Sequence, residues 1–313
     1  GQPMPVKVTV LCQSGECSVT GASLNRFTEV GKDALPTGVQ EIRFVPPSGT
    51  LTIDLPAGQY HVLVSRGPEY SIHPNTYPSV PGTAVDLRTG DRVLDATLVK
   101  VVDTTGWLSA DFHVHAINSP DSRINNLQRV LNFAGEGVDI LVATDHDVVT
   151  DFAPWVEQAG AQDFVSTIVG EEISTMDFGH YNIFPIARDA SDPQTGGAVD
   201  WAGGRGATLS PKGLMAAARA RGARTIHLNH PKSGVGGSFA MMQLDTDTLA
   251  THADPLDFRM APSPTATARD TGLFGSDFNA YEVLNAAEDE FDQGAYRQHF
   301  NDWFTFLSRG LKV

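Results

Sequence analysis

The sequence is poor in three features that often identify a protein: cysteines, basic residues and long apolar runs. Two cysteines, Cys12 and Cys17, occur in 313 residues, so neither a disulfide-rich scaffold nor a cysteine-based zinc site is predicted. The two lie close enough in sequence to form a disulfide, and two free thiols are an equal alternative. Because a disulfide suits an oxidising compartment, we leave the location open and favour the periplasm or secretion over the cytoplasm.

Acidic residues outnumber basic ones, with 37 Asp and Glu against 22 Lys and Arg and a formal net charge of −15. This balance argues against nucleic acid or an anionic membrane as a partner, because few cations are present to neutralise phosphates. The sequence contains no run of about eighteen apolar residues, so no transmembrane segment is predicted. A small-molecule substrate, including an anion attracted by bound cations, remains as the predicted partner. The oligomeric state is left open.

Residues 1–102 are predicted to form a small all-β sandwich domain. Short runs rich in β-branched and aromatic residues are separated by Gly and Pro, as in antiparallel sandwiches. The predicted strands are Lys7–Leu11, Glu41–Val45, Leu51–Leu55, Gln59–Ser65, Ala84–Leu87 and Arg92–Val102. Residues 56–60, Pro-Ala-Gly-Gln-Tyr, and the alternating strand after them resemble the hairpin of carboxypeptidase-regulatory-like modules.

Residues 103–313 alternate between predicted strands and helices, which indicates an α/β domain with parallel strands. The predicted strands are Trp107–His115, Asp139–Asp145, Val165–Gly170, His180–Ile186, Arg224–Leu228 and Ala280–Leu284. The predicted helices are Arg123–Glu136, Pro211–Arg221 and an amphipathic final helix around Tyr296–Leu307. Residues 232–276 are interpreted as a long loop excursion with room for one short helix. Residues 311–313 resemble the opening of a seventh strand.

Histidine and acidic side chains occur where these apolar runs begin or end. His113 and His115 lie two residues apart, so one strand presents both on the same face, although two structural histidines are the simpler alternative for this pair alone. Further candidates follow downstream: Asp121, His146, Glu172, His180 and His230. Because carboxyl ends of strands converge in α/β folds, we expect these side chains to meet. Imidazole and carboxylate together favour Zn, Mn or Fe, and so many ligands predict two or three divalent ions.

Five short motifs occur in a recognisable order: D-F-H-V-H at residues 111–115, A-T-D-H-D at 143–147, G-E-E-I-S at 170–174, G-H-Y-N at 179–182 and N-H-P at 229–231. In this order they resemble the polymerase and histidinol phosphatase (PHP) superfamily. The β-rich preface and the phrases at residues 66–70 and 103–107 look like its CehA/McbA metallohydrolase branch. The resemblance implies a distorted seven-stranded (β/α) barrel with up to three metal ions at one end.

The resemblance also implies a role for each candidate ligand. His113 and His115 match ligands of a first metal. Asp121 and His146 match ligands of a second, with Asp121 at a position that is often His in the family. Glu172 matches the bridging glutamate, whereas Glu171 points away by strand alternation.

His180 and His230 match the ligands of a third metal. His180 lies at the start of its predicted strand, which requires a distorted barrel or a reversed strand. The family's closing Asp-x-His motif is absent, and we expect it, with the seventh strand, to follow Val313 in the natural protein.

The sequence therefore predicts a metal-dependent hydrolase, first of all a phosphoesterase in which a metal-activated hydroxide attacks at a di- or trinuclear site. His227 or a water molecule would protonate the leaving group, and Lys232 would contact an anionic substrate oxygen. A structural His227 and a solvated Lys232 are the alternatives. The alternative functions are a carboxylic or carbamic ester hydrolase, and a non-catalytic binding or scaffold protein. Whether the chain is active without the closing motif is left open.

Overall fold

The computed structural model describes residues 1–15, 38–76, 81–202, 209–232, 236–252, 272–283, 285 and 294–313. Its contacts divide the chain into two compact units, residues 1–142 with 152–168, and residues 143–151 with 169–313. The predicted domain boundary after residue 102 falls inside the first unit and stays a prediction. Cys12 is disulfide-bonded, and Cys17 lies outside the described residues.

The first unit begins with a four-stranded antiparallel sheet. Its strands are β1 (Val6–Gly15), β2 (Val39–Val45), β3 (Gly58–Ser65) and β4 (Thr83–Asp86), in the order β2-β1-β3-β4. Burial alternates strictly along β3, so that Tyr60, Val62 and Val64 face the core while their neighbours are half-exposed. The sheet is therefore apolar on one side.

The prediction of a sandwich is wrong, because the described residues of this region form one sheet. Neither Leu51–Leu55 nor Arg92–Val102 is a strand, although Lys100 forms an isolated bridge with Tyr70. Val93 is 92% exposed, and Val99 and Val101 are also exposed. β-Branched residues favour a strand only where a neighbouring strand and a packed surface accept them. In this segment Leu94 and Leu98 pack against the core of the sheet, but the valines are exposed.

The rest of the first unit combines a three-stranded sheet with two helices. In chain order the elements are β5 (Ala110–Val114), α1 (Asn126–Glu136), β6 (Ile140–Ala143), α2 (Ala153–Ala159) and β7 (Ser166–Ile168). The sheet has the order β5-β6-β7, and β6 pairs with β7 in parallel. The side chain of Asn125 caps α1 by accepting a hydrogen bond from the backbone N–H of Gln128, and α1 ends at Gly137, whose φ is 73°.

The second unit is built on a four-stranded sheet. In chain order its elements are β8 (Glu171–Thr175), β9 (Gly179–Phe184), α3 (Pro211–Ala220), β10 (Thr225–Leu228), α4 (Ser238–Met242), β11 (Leu244–Asp245), β12 (Ala250–Thr251), β13 (Ala280–Tyr281) and α5 (Gly294–Ser308). The sheet order is β13-β10-β9-β8, and β11 pairs with β12 separately. As the sequence predicts, Ser210 caps α3 and Pro211 occupies its first turn.

One face of this sheet covers the core of the second unit. Ile173, Tyr181, Ile183, Ile226 and Leu228 are each no more than 1% exposed. They pack with side chains from α3, α4 and α5, among them Leu214, Met215, Phe239 and Phe306. Burial of this apolar surface is the main stabilising contribution to the unit.

The predicted seven-stranded (β/α) barrel is also wrong. Strands β8 and β9 form an antiparallel hairpin, β9 and β10 are antiparallel, and only β10 and β13 pair in parallel within this sheet. The described strands belong to separate sheets and form no closed barrel. Residues 311–313, which resemble the opening of a strand, follow α5 without strand structure. None of the helices in the described ranges has an apolar stretch long enough to traverse a bilayer.

Candidate metal centre

The four-stranded sheet of the second unit has a polar side opposite its apolar core. Glu172 pairs with Asn182 across the β8–β9 hairpin, and Asn182 pairs with His227 on β10. Residues that face each other on neighbouring strands point to the same side, as do residues two apart on one strand. Glu172, Ser174, His180, Asn182 and His227 therefore share one side of the sheet, which we call the polar face.

Glu172 is the centre of this polar face. Its side chain is fully buried, and three imidazoles surround its carboxylate. Nδ1 of His180 lies 2.9 Å from Oε1, and Nε2 of His230 lies 3.7 Å from the same oxygen. Nδ1 of His146 lies 3.5 Å from Oε2. The rings of His146 and His230 are each 5.2 Å from the ring of His180, centroid to centroid.

Backbone contacts bring His146 to Glu172 across 25 residues of intervening sequence. The two residues form an isolated parallel bridge. The N–H of Asp147 donates to the carbonyl of Glu172 at 2.9 Å, and the N–H of Glu172 donates to the carbonyl of Asp145 at 3.1 Å. Asp147 has a φ of 53°, which is uncommon for a residue other than glycine and turns the chain immediately after the histidine.

Ser174 sets the protonation pattern of His146. Its hydroxyl donates to the carbonyl of Glu172 at 3.1 Å, so its oxygen accepts from the N–H at Nδ1 of His146, 2.5 Å away. A histidine whose Nδ1 is protonated carries the lone pair of its ring on Nε2. A hydrogen bond at one ring nitrogen is the usual way in which proteins orient a histidine ligand.

Gly236 allows close packing against His180. The backbone N–H of His180 donates to the carbonyl of Gly236 at 2.9 Å. Gly236 has a φ of 82°, and a Cβ atom there would lie 2.7 Å from Cε1 of the His180 ring. Any larger residue would displace this imidazole or strain the turn.

The distances around Glu172 suit ligands of a divalent metal ion. At Zn–N and Zn–O bond lengths near 2.1 Å, two ligand atoms of a tetrahedral site lie about 3.4 Å apart, and Nδ1 of His180 and Nε2 of His230 lie 2.9 and 3.7 Å from Oε1 of Glu172. His146, Glu172 and His180 each offer a ligand atom within 4.8 Å of the others. Within the described residues, the buried Nδ1 of His180 makes no hydrogen bond, although a carboxylate oxygen lies close to it.

Two carboxylates beside the cluster have raised pKa values. Burial raises the pKa of Glu171 to about 7, against the opposing hydrogen bond from the backbone N–H of Val199 at 3.0 Å. Burial also raises the pKa of Asp147, while the N–H groups of Ser174 and Trp201 that donate to it act in the opposite direction. Glu171 lies on the side of β8 opposite Glu172, as strand alternation predicts.

Three predicted ligands belong to the first unit. The rings of His113, on β5, and His115, which directly follows the end of β5, are 4.9 Å apart. Nδ1 of His115 lies 3.1 Å from the hydroxyl of Ser119 and 3.8 Å from a carboxylate oxygen of Asp121. His115 and Asp121 are therefore close to each other, and the metal-binding role of all three stays a prediction.

The two predicted catalytic side chains differ in their surroundings. His227 is buried on the polar face, where its Nδ1 lies 2.8 Å from the amide oxygen of Asn229. The amide nitrogen of Asn229 in turn donates to Asn182 at 2.7 Å, so the amide oxygen of Asn229 accepts a hydrogen bond from the N–H at Nδ1 of His227. Nζ of Lys232 forms an ion pair with Asp302 at 2.8 Å, so a contact with substrate would compete with this pair. Neither catalytic role is tested.

Sequence reasoning did not identify Ser174, Asn229 or Glu282. Strand alternation from Glu172 and from His227 would have indicated the first two. Glu282 accepts a hydrogen bond from the backbone N–H of His230 at 2.6 Å, and no local pattern joins residues so distant in sequence.

No protein-family model matches this chain, and searches of curated proteins and of solved structures also give no match.

Proposed function

We propose that this protein is a metal-dependent hydrolase of phosphoesters, and that Glu172, His146, His180 and His230 hold a divalent Zn, Mn or Fe ion. The observation that carries the proposal is the fully buried carboxylate of Glu172 among three imidazoles. Burying a carboxylate costs several kcal/mol unless a cation compensates its charge, and imidazoles are the commonest protein ligands for such metals.

The remaining groups of the polar face supply positioning and proton transfer in this proposal. A divalent ion bound at such a site lowers the pKa of a water molecule and offsets charge on a departing oxygen. The amide oxygen of Asn229 accepts a hydrogen bond from Nδ1–H of His227. Nε2 of a protonated His227 is therefore the nitrogen that would donate a proton to the leaving group. Asn182 fixes the orientation of the Asn229 amide through a hydrogen bond of 2.7 Å.

The substrate class is proposed from the sequence motifs. The order of the five motifs resembles the PHP superfamily, in which phosphoester hydrolysis is the typical activity. The proposal rests on the side chains and not on a barrel fold, which the described residues lack. His113, His115 and Asp121 are proposed as ligands of the further ions, which makes a total of two or three.

Metal content and hydrolysis together test the proposal. Protein purified without chelator is expected to carry two or three equivalents of transition metal and to hydrolyse bis(4-nitrophenyl) phosphate. Substitutions Glu172→Gln and His180→Ala should each lower the rate at least about 100-fold, more than loss of an outer-sphere partner of a metal ligand costs. His252→Ala is the matched control, because this imidazole follows β12 outside the cluster and should leave the rate unchanged.

Three results would contradict the proposal in different ways. A protein that binds no metal and is fully folded would favour a non-catalytic binding or scaffold role. Metal-dependent hydrolysis of 4-nitrophenyl acetate without hydrolysis of the phosphate diester would favour a carboxylic or carbamic ester substrate. A single bound equivalent with full activity would remove His113, His115 and Asp121 from the ligand set.

We also propose a periplasmic or secreted location. The disulfide at Cys12 supports it, because such bonds persist in oxidising compartments and are rare in the cytosol. Mass spectrometry of alkylated protein from cell fractions tests the proposal: an oxidised Cys12 is expected in the exported fraction. A fully reduced Cys12 in protein isolated from cells under thiol-trapping conditions would contradict it.

A further inference from the structure

The turn that carries His230 is strained. His230 has a φ of 26°, and it immediately precedes Pro231. Positive φ is unfavourable for a residue other than glycine, and a following proline further restricts its backbone. Such a conformation persists only when the surrounding structure holds it in place. In this turn, it directs the imidazole of His230 toward Glu172, with Nε2 3.7 Å from Oε1.

Glu282 holds this turn at two points. Its backbone N–H donates to the carbonyl of Leu228 at 2.9 Å, which extends the parallel pairing of β13 with β10. Its side-chain Oε2 accepts from the backbone N–H of His230 at 2.6 Å. A hydrogen bond to an ionised carboxylate is about twice as strong as one between neutral groups, so this contact can offset the strain of the turn.

Asn285 orients the carboxylate that holds the turn. Its amide nitrogen donates to Oε2 of Glu282 at 3.0 Å, the same oxygen that accepts from His230. The carboxylate is therefore fixed from both sides, by an amide three residues later in the chain and by the backbone of the histidine. Oε2 of Glu282 thus links Asn285 to the backbone of His230 through two hydrogen bonds.

We propose that Glu282 is a positioning residue for the metal centre, which acts by holding His230 in the conformation that directs its imidazole toward Glu172. The inference rests on the proposed function for its metal and adds to that function a residue outside the ligand set. Loss of the carboxylate would release the strained turn and withdraw one imidazole from the cluster. The ion would then keep only His146, Glu172 and His180 of the four ligands in this unit.

Zinc affinity of metal-stripped protein, measured by competition with a chromophoric chelator, is the first test. Glu282→Ala should weaken Zn²⁺ binding about 10- to 100-fold, the usual cost of losing a group that orients a ligand. Glu282→Gln should bind nearly as tightly as the wild type, because its amide oxygen can accept the same hydrogen bond. Asp247→Ala, which removes an exposed carboxylate after β11, is the control and should not change the affinity.

A double-mutant cycle separates positioning from a general structural effect. In a His230→Ala background, Glu282→Ala should weaken zinc binding no further, since the residue through which Glu282 acts is gone. An equal loss in both backgrounds would overturn the inference. If Glu282→Ala fails to fold, Glu282→Asp takes its place, because it retains the charge and shortens the reach to the N–H of His230.

The amide proton of His230 in metal-free protein provides a readout that does not depend on metal binding. Its short hydrogen bond to a carboxylate should give a downfield NMR signal that moves upfield in Glu282→Ala or Glu282→Asp and stays near its place in Glu282→Gln. An unmoved signal would overturn the inference even if zinc binds. A wild-type protein without zinc affinity would instead overturn the proposed function, and the amide signal would still decide whether Glu282 holds the turn.

Discussion

The described residues form two four-stranded sheets, which differ on the side that faces away from the apolar core. In the sheet formed by β1–β4, one side is apolar and the other is half-exposed, as the alternating burial of β3 shows. The sheet formed by β8, β9, β10 and β13 also covers an apolar core, but Glu172, Asn182 and His227 on its other side are buried as well. The first sheet also buries an ionisable group, Glu41 on β2, which forms an ion pair with Arg43 at 3.1 Å.

The two sheets differ in the free energy that they lose by burying polar groups. A buried polar group without a compensating partner costs roughly 1–3 kcal/mol, and a buried charge costs more. The second sheet carries such groups in register across three strands, whereas the buried Glu41 of the first sheet is paired with a cation, Arg43, on its own strand. The groups buried in register on the polar face therefore support the proposed metal centre.

The largest expected effect is on the apolar side, where Ile183→Ala should lower the free energy of unfolding by about 2–5 kcal/mol. Ile183 is fully buried in the core of the second unit. Leu63→Ala, on the half-exposed side of β3, should cost less because this side chain already meets water. Urea denaturation monitored by fluorescence measures both changes, and equal losses would contradict the assignment of the two faces.

Metal binding should stabilise the second sheet selectively. At a free Zn²⁺ concentration about 100 times the dissociation constant, the expected gain is about 2.7 kcal/mol. Hydrogen exchange should show added protection of the Glu172 and Asn182 amides after metal is supplied. The amides of Val10 and Val62 in the first sheet should exchange as before. Equal changes in both sheets, or none in the second, would show that the ion does not bind on the polar face.

Loss of a buried amide on the polar face should lower the free energy of unfolding more than loss of an amide near solvent elsewhere. Asn229→Ala removes a fully buried side chain that joins His227 to Asn182, and leaves both partners unsatisfied. The expected loss is about 1–3 kcal/mol in the free energy of unfolding. Gln59→Ala, whose amide contacts Ser14 at 2.7 Å near solvent, should change stability by less than about 0.5 kcal/mol. The ratio of the two losses measures the cost of burial.

The smallest effects are expected from exposed carboxylates at low pH. Hydrogen bonds from the hydroxyl and backbone N–H of Thr195 lower the pKa of Asp192 to about 2. The Arg88 guanidinium holds the pKa of Asp86 further below its usual range. A lowered pKa stabilises the fold above the ordinary value near 3.8, and the contribution disappears as pH falls toward the folded-state pKa.

Acid titration of Asp192→Asn and Asp86→Asn measures this dependence. The stability difference between wild type and Asp192→Asn should be constant near neutral pH and shrink between about pH 4 and pH 2. The difference for Asp86→Asn should persist to lower pH. A difference that grows with acidification would have the wrong sign for both assignments.

Local signals in the sequence located individual elements well. The Ser210 cap with Pro211 marks the start of α3, and alternation identifies β3. Such signals do not predict whether neighbouring strands are parallel or antiparallel. The predicted strand Val165–Gly170 ends before Glu171, whereas Glu171–Thr175 form a further strand, β8, which returns through a three-residue turn to β9. Gly179, with a φ of 84°, was the available hairpin signal.

The candidate ligands were easier to predict than their supports. The sequence shows histidine and glutamate at strand ends directly as residue types. It therefore predicts His146, Glu172, His180 and His230 as ligands. Ser174 and Glu282 act through a hydroxyl and a distant carboxylate, which look like ordinary surface residues in a sequence. Their importance depends on tertiary contacts across 28 and 52 residues, respectively.

Anomalous X-ray scattering from crystals supplied with Zn²⁺ tests the central claim most directly, because it locates the ion itself. We predict a zinc peak beside Glu172 and His180, with bonds of about 2.0–2.2 Å to the carboxylate oxygen and the imidazole nitrogen. A map with no zinc peak among Glu172, His146, His180 and His230 would contradict the claim that these residues form a metal centre.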